Sequence, residues 1–596
     1  GLLVKNGAGT LTLSGANSGF TGDVIVNAGN LSLSGADALS QSTDVTLASG
    51  TSLLLNSTTR TLRSVSGDGG VSLGSAVLTI SPSNDSLVLN GVISGSGGLS
   101  FSPVNSAGSL TLGGNNSYSG TTNITNGTLF LGASNRISAA SDVVIQSGAT
   151  FHLNGFSDSV GAISGSGSIQ LGGGSLSSSG SVDSTFSGVI SGTGNFTKSN
   201  IGTLTLSGSN TYAGTTTIFS GTLRLGAANR LPNGTTVDVQ PLGAWDLNNF
   251  SETIHGLVGY DGAVVSLGSG SLSLGGGSGT YNTSFDGIIQ GTGGLNVQGI
   301  NGGTLTLGGA NTYTGDTFVN GGAFAQSNLR IAANQRIADA SPLKLGLSGN
   351  FHLQGFSETV ANLEGGGDVD LGNGGSLEFG ENDVSTTFSG LLSGSTNIQN
   401  SSRIEKCGSG TLTMTGTASG HFDTELYWNR SGDTGMGYGG HIILNSSENN
   451  ALSDTGRLTI VSPPIANQTS TVTLALGKHE TVGPLTVGQY GEIIVTSGYF
   501  TSQSSENSLV TGVISGGGSF IKSGSGTLEF TLDFSGYGLR TNGMDTVAEG
   551  IMKGTLNNMP GDMVVMTNAE LQFRQNYDGS LEGRELRNGG MIRLDT

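Results

Sequence analysis

Apolar and polar residues alternate in short runs along the whole chain. Examples are Val24-Ile25-Val26, Leu31-Ser32-Leu33, Val45-Thr46-Leu47, Leu53-Leu54-Leu55, Val71-Ser72-Leu73 and Leu78-Thr79-Ile80. Such runs come about every 6 to 12 residues and are fenced by Gly, Ser and Asn, the pattern of strands with one buried face. Helical 3.6-residue periodicity is essentially absent, so the chain reads as all-β. The strands are too short and too many for a sandwich of ordinary five- or six-residue strands. A parallel β-helix, or β-solenoid, uses them naturally: each coil of about 20–25 residues lays short strands over those of the coil below.

A longer theme lies over this alternation. Gly9 to Gly15 (GTLTLSG) returns at Gly108 (GSLTLGG), Gly202 (GTLTLSG) and Gly303 (GTLTLGG), and more weakly at Gly410 (GTLTMTG) and Gly526 (GTLEFTL). An upstream element recurs as Phe186 to Gly192 (FSGVISG), Phe285 to Gly291 (FDGIIQG), Phe388 to Gly394 (FSGLLSG) and Thr511 to Gly516 (TGVISG). Downstream stand Asn116-Ser117-Tyr118-Ser119-Gly120, then Asn210 to Gly214 (NTYAG) and Asn311 to Gly315 (NTYTG). Corners such as Asn135-Arg136-Ile137 and Asn229-Arg230-Leu231 follow. Self-similarity of this kind predicts one continuous stacked array rather than a compact enzyme fold. We divide it into about six imperfect units: 1–98, 99–193, 194–294, 295–400, 401–517 and 518–596. At about 4.8 Å per coil they would build an elongated rod on the order of 120–140 Å long.

Composition narrows the function. The chain of 596 residues has 106 Gly but only 9 Pro, and its formal charge is −19. That charge argues against nucleic acid and anionic membranes, which need clustered Lys and Arg. The single cysteine, Cys407, permits no intrachain disulfide. No apolar run approaches the roughly 18 residues of a spanning helix, and nothing resembles the ten-residue amphipathic strands of an outer-membrane barrel. No membrane insertion by this stretch is expected. Gly589 to Arg593 resembles Gly1 to Lys5, so the sequence reads as a piece of a longer array.

The string G-x-G-T-L-T-L-S-G-x-N-T-Y-x-G-x-T-x-V-x-x-G-T-L resembles the autotransporter-associated β-strand repeat of Gram-negative passenger domains. It is read at Gly7 to Leu31, Gly202 to Leu223 and Gly303 to Val319, with a variant at Gly108 to Leu129. The resemblance implies a right-handed parallel β-helix displayed at the cell surface or secreted. It further implies a non-catalytic stalk acting in projection, adhesion or self-association, whose partner is a protein or glycan of a host or neighbouring cell. The competing readings are a polysaccharide-active β-helix enzyme, with paired carboxylates in an aromatic groove, and a toxin passenger.

Candidate chemistry separates into residues that recur and residues that do not. His152 and His352 occupy a slot that takes Asp246 in the unit between them, which marks a structural position. Lys5, Lys198, Lys406 and Lys522 each stand four residues before a motif glycine, and are expected to be solvent-facing charges that discourage edge pairing. Cys407 stands in a slot filled elsewhere by Asn6, Ser199 and Ser523. Two stretches break the repeat. Within 364–383, Asp368, Asp370, Glu378, Glu381 and Asp383 form a carboxylate cluster that could chelate Ca²⁺. Within 417–450, read as a loop insertion, His421, Asp423, Glu425, Tyr427, Trp428, Arg430, Asp433 and His441 form the expected ligand-binding set. Aromatics beside Asp, Asn and Arg suit a carbohydrate or protein contact, and a zinc site from His421, Asp423 and His441 can be drawn.

Overall fold

The computed structural model describes residues 1–35, 37–323, 325–397, 399–426, 440–447, 450–461, 469–475, 477–530, 538–541, 544–554, 562–573, 586–588 and 590–594. Among them there is no helix, and every pairing between named strands is parallel. The chain is all-β and winds as a parallel β-solenoid. It forms two compact units, one of Gly1–Ser278 with Thr283–Gly291, the other of Gly279–Asn282 with Thr292–Thr596.

In the first unit a ten-stranded parallel sheet runs from Leu2–Lys5 to Val189–Ser191, beside a five-stranded sheet from Thr10–Leu13 to Ile93–Ser94. In the second, an eleven-stranded sheet runs from Ser357–Val360 to Met591–Leu594, and a six-stranded one from Lys478–Val482 to Leu586–Asn588. Most strands alternate in burial as their sequences do. In Thr203–Leu206 the leucines face the core while the threonines stay half exposed. An inward Leu, Ile or Val contributes roughly 1.5–3 kcal/mol, which three-residue strands need because each backbone hydrogen bond nets only about 1 kcal/mol.

The recurring motifs prove to be clamps between coils. Asn135, Asn229 and Gln335 turn the chain at positive φ (57°, 53° and 55°), a conformation asparagine tolerates. The turn exposes the next two amides inward, where they are buried and need acceptors. Asp158 Oδ2 accepts from Arg136 N–H and Ile137 N–H (2.9 and 3.0 Å). Glu252 does the same for Arg230 and Leu231, Glu358 for Arg336 and Ile337, and Glu480 for Ala451 and Leu452. From the coil below, the Asn116, Asn210 and Asn311 amides donate to the carbonyls of Arg136, Arg230 and Arg336. Asn116 and Asn210 also accept an amide from the coil beneath them, that of Ile93 and Ile190. The tyrosine two residues on is buried and bonds a threonine hydroxyl, as in Tyr212 to Thr216 at 2.6 Å, and Thr216 bonds Thr235 of the next coil at 3.0 Å. The glycine of the Phe-Ser-Gly element is forced by stacking: a Cβ on Gly188 would lie 1.7 Å from the Gly167 carbonyl oxygen.

The four lysines overturn their expected role. Lys5, Lys198, Lys406 and Lys522 are buried, three of them at 1–2% exposure, and do not guard a solvent face. Each ammonium is coordinated by carbonyls. Lys198 Nζ donates to Ser199, Asn200 and Ser220 (2.7, 2.8 and 3.3 Å), and Lys522 repeats the arrangement with Ser523, Gly524 and Glu549. Lys406 holds Cys407 and Gly408, and Lys5 holds Gly7 and Ala28. The lysine closes the corner that precedes the Gly-Thr-Leu strand by donating to its carbonyls, which gives the buried ammonium its partners. Burial pushes Lys198, Lys406 and Lys522 down to about 8.

Candidate functional site

The histidine slot is structural in geometry as well. Phe151, Trp245 and Phe351 fill the core beside it. The next side chain points outward and holds a turn: His152 Nδ1 accepts the Asn154 N–H, and Asp246 Oδ1 that of Asn248, both at 2.8 Å. His352 bonds Asp370 and Asn328 instead.

The carboxylates of 364–383 are divided among strands. Asp368 and Asp370 flank Val369 on one sheet, where Asp368 accepts the Leu391 N–H and Asp370 holds Gly372 N–H and His352. Glu378 lies on Ser376–Phe379 of another sheet, and Asp383 accepts the Ser409 N–H. Glu378 and Glu381 meet Cys407 instead, their ligand atoms within 4.8 Å of one another. Burial, helped by the Glu378 charge, pushes the Cys407 thiol up to about 12, so it is held as a buried thiol bonded to the Phe379 carbonyl.

The stretch 417–450 contributes strands to the stack on both sides of 427–439, which lie outside the described residues. Thr417–Ser419, Phe422–Leu426 and His441–Leu444 are ladder strands, pairing Leu391 with Thr417, Ser402 with Phe422 and Thr411 with His441. Tyr427, Trp428, Arg430 and Asp433 lie outside the described residues. His441 belongs to a different sheet from His421 and Asp423. It bonds Thr471 at 2.8 Å, and burial lowers its pKa. Glu425 lies on the outer face near Arg403, whose guanidinium also meets Glu405.

His421 and Asp423 do share a site. They line an open groove of about 410 Å³ with Ser401, Thr455, Arg457, Gly483, Pro484 and Gln503 to Glu506. The groove follows the entry corner of five successive strands of one sheet: Ser402–Lys406, Phe422–Leu426, Leu458–Ile460, Leu485–Val487 and Ser508–Val510. Four strand spacings give it a length of about 19 Å. Arg457 organises its middle. The Arg457 N–H donates to Asp423 Oδ1 (2.9 Å) and its Nη2 to Glu506 Oε2 (2.7 Å), while His421 Nδ1 lies 3.0 Å from Thr455 Oγ1. Gln503 and Ser505 are exposed there, and neither side chain has a partner among the described residues. Both carboxylates are tied to Arg457, and the described lining holds no Phe, Tyr or Trp. Sequence reasoning found two of these residues and missed the rest, because they sit in other coils. Their shared signal is polarity just before the inward residue of each strand.

Comparisons with known proteins agree with this architecture. Residues 3–33, 105–129, 196–225 and 300–325 match the family described as passenger-associated-transport-repeat. Over 451 residues the chain is 30% identical to "Adhesin BmaC autotransporter" of Brucella suis biovar 1 (strain 1330), a match covering 70% of this chain. The chain spans only 12% of that relative's length. No solved structure matches the chain. The first four copies of the hundred-residue theme each contain a passenger-associated-transport-repeat, and the chain thus carries the autotransporter-associated repeats that its sequence pattern led us to expect.

Proposed function

We propose that this chain is a non-enzymatic part of an autotransporter passenger, exported through the outer membrane of a Gram-negative bacterium and acting in adhesion. The similarity to an autotransporter adhesin over 451 residues carries this reading. Physics supports it. The buried polar groups of the repeat are engaged in holding coils together, which leaves outward faces and the groove to meet a partner. A stacked solenoid presents those faces at fixed spacing, and many weak contacts add up through multivalency.

Beads coated with the purified chain test this. They are expected to adhere to cultured cells or extracellular-matrix surfaces, and free chain is expected to compete. Coated beads that adhere no better than albumin-coated beads on every surface tried would contradict the adhesive role.

A further inference from the structure

We propose that the groove from Ser401 to Glu506 holds a neutral linear oligosaccharide lengthwise along the coils. The inference rests on the adhesive reading and names the chemistry of its ligand. Its lining decides the class. The Ser401, Thr455 and Ser504 hydroxyls, each with one bond to Ser402, His421 or Glu506, line it with the Gln503 amide and the Ser505 hydroxyl, and Pro484 is the apolar contributor. A purely apolar surface laid there would strip water from these groups and return no hydrogen bonds, and a peptide would return them only through its backbone. A polyhydroxylated chain returns them. The Gln503 amide and Ser505 hydroxyl, exposed and unpaired, are the groups a sugar would meet first.

Charge excludes the sulfated and uronic-acid polymers. The groove carries two carboxylates, Asp423 and Glu506, against one guanidinium, which is already engaged with Glu506, while Asp423 accepts the Arg457 backbone N–H. An anionic glycan would have to displace Glu506 from Arg457 and then lie beside it. The whole chain, at −19, repels polyanions further. Length fits as well, since about 19 Å of groove accommodates three or four sugar rings end to end. Arg457 acts as a positioning residue: by joining Asp423 in the coil before it to Glu506 two coils after it, it fixes the groove floor.

The test is titration of the purified chain with cellotetraose, chitotetraose and a heparin tetrasaccharide, followed by calorimetry or ligand-observed NMR. A neutral tetrasaccharide is expected to bind, with an affinity nearly unchanged from about 50 to about 500 mM salt. Gln503→Ala with Ser505→Ala should weaken it about tenfold. Ser505→Arg, which fills the groove from an exposed position, should abolish it, whereas Thr46→Arg on an outer face of the first unit should change nothing. No binding of either neutral tetrasaccharide overturns the proposal. So does preferential, salt-sensitive binding of heparin, or neutral binding that survives Ser505→Arg. Beads that adhere while the neutral sugars fail to bind would overturn this ligand class and leave the adhesive role standing. Absent adherence would count against the adhesive role alone.

Discussion

Trp245→Ala is expected to destabilise the first unit by about 3–5 kcal/mol. Trp245 is the largest fully buried side chain among the described residues and lies in register between Leu223 of the coil below and Val265 of the coil above. Backbone on either side is held by ladder pairs and can collapse little into the space, so the cavity penalty adds to the lost transfer energy. Trp245→Phe should cost less than about 1.5 kcal/mol. Phe151 and Phe351 fill the equivalent slots, and the indole N–H that phenylalanine lacks is buried without an acceptor. Because each coil contacts chiefly its neighbours, amide hydrogen exchange should accelerate first between about residues 216 and 268 in the alanine variant. Uniform acceleration throughout the unit, or equal losses for Phe and Ala, would contradict this picture.

Removing the Glu358 carboxylate should be nearly as severe. It is 1% exposed and accepts the amides of Arg336 and Ile337 at 2.7 and 3.2 Å. Glu358→Ala leaves both donors buried and unpaired, at about 1–3 kcal/mol each. Glu358→Gln keeps one acceptor and should lose about half as much. The same carboxylates give the chain an unusual pH dependence. Burial is the leading cause that raises Asp158 to about 6, Glu252 and Glu480 to about 7, and Glu358 to about 8, against the amide hydrogen bonds that oppose it. A carboxyl raised in the folded state stabilises fully below its unfolded pKa, near 4, and loses that contribution as pH climbs through the folded value. The lysines act in the next window. Their folded pKa of about 8 lies below the unfolded 10.5. Stability withheld below pH 8 therefore returns as pH rises toward 10.5. Thermal melts should show a minimum near pH 8, with higher stability toward pH 5 and again toward pH 10. A single maximum near neutrality would contradict the raised carboxyls.

Much of this fold was legible because period-two alternation fixes which side chains face inward. In Phe196-Thr197-Lys198 the pattern puts Phe196 and Lys198 on the same inner face, and that is where both lie. The lysines were misjudged because their charge was weighed above their parity. Ile404-Glu405-Lys406 and Phe520-Ile521-Lys522 carry the same signal. The role of Asp158, Glu252, Glu358 and Glu480 was hidden because the amides they accept lie a full coil earlier. The groove was harder still. Ser402 pairs with Phe422, but Thr424 pairs with Leu458 and Leu458 with Leu485, so coil length changes at each step there. Without that register, Arg457 and Gln503 cannot be placed beside His421 from sequence.

The account depends on sequence becoming distance through parallel stacking, and spin-label distances measure that directly. Thr46, Ser66, Val88, Thr111, Phe130, His152, Gln170 and Ser191 form one outward column of the first unit's ten-stranded sheet. Labels replacing Thr46 and Gln170 are predicted at about 29 Å, and Thr46 and Ser191 at about 34 Å, one strand spacing more. Distances that fail to grow by about 5 Å per coil along this column would contradict the stacking, and with it the assignment of the repeat motifs as clamps between coils.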